Sequence, residues 1–416
     1  MGGLMRARLR KPLDLAASLT LLLPVALEAQ SSGPTVTQPV ISEEAVPTDA
    51  MAPVAPDGHV GQGFLRKPPG DGPFPAVLVI PGGGSPPEML RRNTIGAYPS
   101  RFLEAGYVVA VITHRNYGLQ DTADWSNALA DALAALHYLK ALPFVDPDSV
   151  AVNGCSIGGD VALELAGGAK IAATVAEEPG TGFLARLHVL FDLRTPEDNF
   201  PVMADPLRYY TPEAQAILQS KVRKIDAPLL IVQGDRPVDS DFFLPLQNEL
   251  LLPELESAGT RMELLTYPQE AHCFAMSSVT PAGVEAFDRI ESFIRQHIAT
   301  QPTQMNESMI EDVPASINFG RPSIEVPLET LDDYVGTYVA APIPGSPVGE
   351  AEVVTLRVQD GRLVARSEGS PEMTLLAESE TRFFSEMGDV EFARDGADQV
   401  THFTFGGVLT FERVRE

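Results

Sequence analysis

The chain has 416 residues, a length suited to two or three domains. Apolar residues make up 44% and charged residues 21%, which excludes a mostly disordered chain. Thirty Lys and Arg against 56 Asp and Glu give a net charge of −26, which argues against nucleic acid and anionic membrane surfaces as partners, and two cysteines exclude a disulfide scaffold or a multi-cysteine zinc site.

Residues 1–29 read as a signal peptide. Arg6, Arg8, Arg10 and Lys11 form a basic head, and an uncharged apolar run follows from Leu15 to Leu27. That run is too short to span a bilayer, which takes about 20 residues. The expectation is an exported protein, periplasmic or extracellular, with no stable membrane anchor once the segment is cleaved. Residues 30–45 are rich in Pro, Ser and Thr and read as a disordered tether. A second break spans 299–328, with Pro302, Pro314, Pro322 and Pro327. The chain thus divides into a body over 46–298, a linker over 299–328 and a tail over 329–416.

Within the body, strand and helix patterns alternate, which predicts a mainly parallel sheet with flanking helices. Ala76 to Ile80 is a continuous apolar run, as for a strand buried on both faces, and it leads into Pro81-Gly82-Gly83-Gly84. Tyr107 to Ile112 is the next strand. Leu129, Leu133, Leu136 and Leu139 share one helix face. Val150-Ala151-Val152 leads into Gly154-Cys155-Ser156-Ile157-Gly158-Gly159, and a helix runs on through Ala166. Strands follow over 171–176, 229–232 and 262–265, and Phe287, Ile290 and Ile294 mark a closing helix. In the tail, Val354, Leu356 and Val358 alternate with polar residues, and Asp360-Gly361 and Asp395-Gly396 are hairpin turns. The tail therefore reads as a small antiparallel sheet or barrel.

Gly154-Cys155-Ser156-Ile157-Gly158 fits the nucleophile-elbow pattern G-x-S-x-G, set between a strand and a helix. There the serine hydroxyl stands exposed at a helix N-terminus, whose dipole favours developing negative charge. A serine needs a base. Among seven histidines, His272 lies just after the last strand of the body, where a loop reaches over the strand ends; His114, after an earlier strand, is a further candidate to line the site. The acid that orients the histidine is expected after the strand ending at Gly234. Asp239 is preferred there and Asp235 is its rival, with Glu177 and Glu178 as outside alternatives whose plainer reading is a surface or pocket rim. The amide of Ile157 and those of the Gly82-Gly83 turn are the expected oxyanion donors. Arg115, Phe183 and Tyr209 are candidate pocket residues, Arg115 also being suited to an ordinary ion pair. Cys155 and Cys273 flank the proposed serine and histidine. They read as free apolar fillers, with a bridge between them as the lesser reading.

These stretches, with Phe74 to Gly84, Pro228 to Gly234 and His272-Cys273-Phe274, resemble the α/β-hydrolase fold in its dienelactone-hydrolase and prolyl-oligopeptidase-like branch, over about residues 45–298. The resemblance implies cleavage of an ester, lactone or peptide without metal or organic cofactor. The substrate would be a small-molecule ester or a short peptide, and oligomeric state is left open. The family usually has His where Pro81 stands, and its acid where Pro237 stands, which is why the acid stays open. Peptidases of the branch usually carry a large propeller before the hydrolase, and the short stretch ahead of the body is not expected to hold one, so the expectation is an esterase, with a serine peptidase of the acylaminoacyl-peptidase kind as the enzymatic runner-up. A hydrolase fold kept only for binding is the alternative of another class, and intact Ser156 and His272 speak against it. Leu331 to Tyr338 resembles the opening of the lipocalin-like β-domain that follows many exported serine-hydrolase and β-lactamase-like proteins, which implies a binding or packing accessory.

Overall fold

The protein is described from a computed structural model, which covers residues 37–414 apart from 83–89, 92–93, 116–125, 181–206, 208–209, 236–243, 269, 271, 278–279, 301–309, 315–322, 341–351, 360, 368–372, 386–387 and 406–408. The expected signal peptide lies outside these residues.

The body is an eight-stranded sheet. Its strands are β2 (Asp49–Met51), β3 (Gly63–Arg66), β4 (Phe74–Ile80), β5 (Val108–Ile112), β6 (Val145–Cys155), β7 (Ala173–Glu177), β8 (Leu229–Gly234) and β9 (Met262–Tyr267), in the order β2-β3-β5-β4-β6-β7-β8-β9. From β5 to β9 every pairing is parallel, and β2 and β3 are antiparallel additions at one edge. The apolar run of β4 shows why the sheet is covered twice. Ala76, Leu78 and Ile80 face one core cluster and Val77 and Val79 the other, because successive side chains of a strand point to opposite faces. The first face is covered by α2 (Ser126–Lys140), α3 (Ile157–Gly168) and α4 (Pro212–Val222), and the second by α1 (Ala97–Glu104) and α5 (Pro281–His297). The parallel sheet with helices on both faces is the architecture expected from the alternation of patterns.

The stretches read as tether and linker are not structureless. Strand β1 (Thr37–Ile41) pairs antiparallel with β10 (Ile310–Pro314). Buried Arg66 also donates to the carbonyls of Ile41, Ser42 and Val46, which ties this segment to the body. Residues 37–45 thus escape the reading of a disordered tether through a partner some 270 positions away, which local composition does not reveal.

The tail closes into a barrel of eight antiparallel strands: β11 (Gly336–Ala340), β12 (Glu352–Gln359), β13 (Arg362–Ser367), β14 (Met373–Ala377), β15 (Arg382–Ser385), β16 (Gly388–Arg394), β17 (Val400–Phe405) and β18 (Leu409–Arg413). Closure removes the exposed edges that a small sheet would present. Tyr338, Phe383, Phe392, Phe403 and Phe411 fill its core, with Phe403 stacked on Phe411 at 4.7 Å between ring centres.

Candidate active site

The elbow is built by close approach. Strand β6 ends at Cys155 and α3 begins at Ile157, which leaves one residue for the reversal. That residue, Ser156, sits at φ 55° and ψ −122°, outside the conformations a non-glycine residue prefers. Its amide is held by the Glu177 carbonyl at 2.9 Å, and its side chain makes no cap hydrogen bond to the helix it precedes. The flanking glycines are required sterically. A Cβ on Gly154 would overlap the Gly158 carbonyl, and a Cβ on Gly158 would overlap the Ile80 carbonyl. Gly158→Ala is therefore expected to cost about 1–3 kcal/mol through overpacking and to move the elbow; a wild-type melting midpoint for the variant would count against this geometry.

Gly82 lies against the serine. A Cβ built on it would stand 3.3 Å from Ser156 Cβ and 3.9 Å from Oγ. This places Gly82 beside the hydroxyl of Ser156, which directly precedes the buried Ile157 at the start of α3. Gly83 lies outside the described residues.

His272 is brought to the elbow covalently. Cys155, immediately before Ser156, and Cys273, immediately after His272, form a disulfide with a Cα–Cα separation of 5.8 Å. This corrects the expectation of two free apolar fillers. The two positions are 118 residues apart in sequence, and only the return of the segment after β9 to the end of β6 makes them neighbours. On a chain-entropy account, closing a loop of that size is worth about 4–5 kcal/mol.

A carboxylate faces the histidine. Glu178 Oε2 is 3.4 Å from His272 Nδ1, and the Glu178 side chain is 1% exposed. Its Oε1 accepts the Gly234 amide at 2.7 Å and its Oε2 accepts the Cys273 amide, so one carboxylate ties the end of β8 to the histidine loop. Glu178 itself has φ 45°. The surface or pocket-rim reading of Glu177 and Glu178 is thus overturned for both. Glu177 ends the central strand β7 and Glu178 follows it, and both side chains are buried instead of turned out to water. Asp235 follows β8, and Asp239 lies outside the described residues.

Glu177 lies on the underside of the elbow. It accepts from Tyr98 Oη at 2.9 Å, and Asn153 Nδ2 donates to the same hydroxyl. Burial pushes its carboxyl up to about 7, against hydrogen bonds that favour the charged form. Glu177 Oε2 and Asn153 Oδ1 each lack a hydrogen-bond partner among the described residues. A proton on Glu177 turns one of these acceptors into a donor.

The other candidates are placed as follows. Arg115 is committed to ion pairs: its Nη2 stands 2.9 Å from Asp131 Oδ1, its Nη1 2.5 Å from Asp57 Oδ2, and its amide donates to Asp131. These pairs agree with the ion-pair reading of Arg115. His114 is 2% exposed, and burial lowers its pKa to about 4, so it is a neutral interior ring at pH 7. Phe183 and Tyr209 lie outside the described residues. Cys155, Glu178, His272 and Cys273 also have potential metal-ligating atoms within 4.8 Å of one another, but the disulfide occupies both sulfurs.

Residues 100–301 match the family model described as the prolyl oligopeptidase family. Among curated proteins, the chain is similar to the esterase FrsA of Shigella boydii serotype 18, with 35% identity over 114 residues, which is 27% of this chain and 26% of that protein. It is similar to the esterase FrsA of Escherichia coli O1:K1 at 34% over the same length and shares. The chain thus spans about a quarter of the length of these relatives. Among solved structures it is similar to the acylaminoacyl peptidase of Pyrococcus horikoshii, with 14% identity, a TM-score of 0.46, and coverage of 63% of this chain and 43% of that one. It is also similar to the carboxylesterase EstE1 from a metagenomic library, with 20% identity, a TM-score of 0.45, and coverage of 70% and 96%.

Proposed function

We propose that this α/β-hydrolase is an exported serine hydrolase that cleaves a carboxylic ester or lactone through an acyl-enzyme on Ser156. The observation that carries the reading is the strained serine at the start of α3, with a histidine delivered beside it by the adjoining disulfide and backed by a buried carboxylate. Ser156 Oγ attacks the acyl carbonyl while His272 takes its proton. The developing oxyanion is held by the amide of Ile157 and those of the Gly82-Gly83 turn. His272 then returns the proton to the leaving alcohol, and a water activated by the same ring releases the acid.

Glu178 is the acid assigned to His272 Nδ1, ahead of the Asp239 and Asp235 of the sequence reading. Both its oxygens already accept backbone N–H bonds, but an ionised carboxylate offers about four lone-pair sites and has room for the imidazole N–H. The ester preference is supported by the FrsA esterases, matched over a quarter of their length. Export is supported by the disulfide, which persists in oxidising compartments.

A fluorophosphonate probe tests the nucleophile. It is expected to label the wild-type chain and not Ser156→Ala; labelling that survives the substitution sinks the assignment. Nitrophenyl esters of graded length, run beside aminoacyl anilides, test the substrate class. Cleavage of anilides without esters would make the protein a peptidase.

A further inference from the structure

We propose that the Cys155–Cys273 disulfide is a positioning bond for the Ser156–His272 pair, and that a dithiol reductant switches the site off by opening it. The proposal rests on the serine-hydrolase reading. Its two sulfurs belong to the residues directly before the nucleophile and directly after the base, so no other covalent link could act so directly on their separation. The backbone around it is held in costly conformations. Ser156, Glu178 and Cys273 are three of the four non-glycine residues with positive φ among the described residues. Such conformations persist only where the surroundings over-determine them. For Cys273 those surroundings are the disulfide and the bond from its amide to Glu178 Oε2.

The sheet itself does not depend on the bond. Strands β6, β7, β8 and β9 are paired in register without it, and two apolar clusters cover both faces. What the bond adds is a tether for the loop beyond β9, where His272 stands past the last ladder pair at Tyr267. Opening it leaves the loop held by non-covalent contacts, among them those of Glu178 to the Cys273 amide and His272 and the packing of Phe274, Ala275 and Met276 in the second core cluster.

The chemistry is a thiol–disulfide exchange. Cys155 is fully buried and Cys273 half-buried, so an incoming thiolate reaches Cys273 Sγ and displaces the Cys155 thiolate. The reductant's second thiol then attacks the mixed disulfide. The dithiol is oxidised to a cyclic disulfide, losing two electrons and two protons, and the protein gains two thiols.

The test uses the full mature chain, dithiothreitol as reductant and oxidised glutathione as oxidant. Two reactive thiols per chain confirm opening, and far-UV circular dichroism confirms the fold. On reduction, kcat for a nitrophenyl ester is expected to fall roughly 10- to 100-fold, as for a small misplacement of reacting groups, with KM changed less than about twofold. The rate of fluorophosphonate labelling should fall in parallel, and oxidised glutathione should restore both. The double variant Cys155→Ala/Cys273→Ala should be folded, equally slow and indifferent to either reagent. Unchanged kcat in a chain with two free thiols overturns the proposal. So does unfolding of both the reduced chain and the double variant, which would make the bond a general staple. If the oxidised chain never labels at Ser156, the serine-hydrolase reading fails and the positioning role with it; if it labels equally in both redox states, only the positioning role fails.

Discussion

Replacing Glu178 by Gln is expected to lower kcat by about 10³–10⁴-fold with little change in KM. Glutamine keeps the shape of the side chain and can still accept the Gly234 amide through its oxygen. It cannot take the charge that stabilises an imidazolium, and the group it turns toward His272 Nδ1 is either a donor or a weaker acceptor. A donor there forces the wrong tautomer, in which the ring nitrogen facing the serine already carries a proton and cannot accept another. The same loss at the corresponding acid of a serine protease is of order 10⁴. Asp235→Asn and Asp239→Asn, made in parallel, should each retain kcat within a few-fold. A collapse of kcat in Asp239→Asn together with a nearly normal Glu178→Gln would return the role of acid to the loop after β8 and leave Glu178 as a backbone clamp.

The second expected result concerns stability. Glu177 keeps its proton in the folded chain up to a pH of about 7, whereas in the unfolded chain it ionises near the ordinary value of 4.5. Between those two values the unfolded state binds fewer protons than the folded state, so stability falls as pH rises. Below the lower value both states are protonated and the contribution is at its maximum; above about 7 both are ionised and the loss is complete. The shift corresponds to a loss of roughly 3 kcal/mol across the window. Glu177→Gln mimics the protonated carboxyl and cannot ionise. Its unfolding free energy should lack this slope, so the variant should gain on the wild type steadily from pH 4.5 to 7 and stay ahead above that. Denaturant midpoints measured across the range decide it; parallel pH profiles for the two chains would show that Glu177 does not hold its proton in the fold.

Both carboxylates show where reading along the chain stops. Glu177 and Glu178 stand side by side in a segment that carries no local sign of burial, and a pair of acids after a strand reads as a solvated rim. The sheet order decides otherwise. Strand β7 lies between β6 and β8, so its C-terminal residues emerge between the elbow and the histidine loop, where Tyr98 and the amides of Gly234 and Cys273 await them. The cysteines give the same lesson. Their positions beside Ser156 and His272 are plain in the sequence, but their bonding is not, because sulfur-to-sulfur distance depends on how a chain separation of 118 positions folds.

Local sterics and periodicity account for the features legible along the chain. Continuous apolar runs specify strands buried on both faces, as β4 shows by sending alternate residues into two separate cores. Two glycines flanking Ser156 specify the elbow, since any side chain at either position would strike backbone. Alternation and turn residues specify the antiparallel tail. The meetings of distant segments depend on the complete fold: β1 with β10, Cys155 with Cys273, Glu178 with His272, and the closure of the tail into a barrel. The physical reason is common to all four. Each is a pairing between groups whose own neighbours along the chain place no constraint on the partner, so the choice falls to the packing of the whole sheet and not to any stretch of residues.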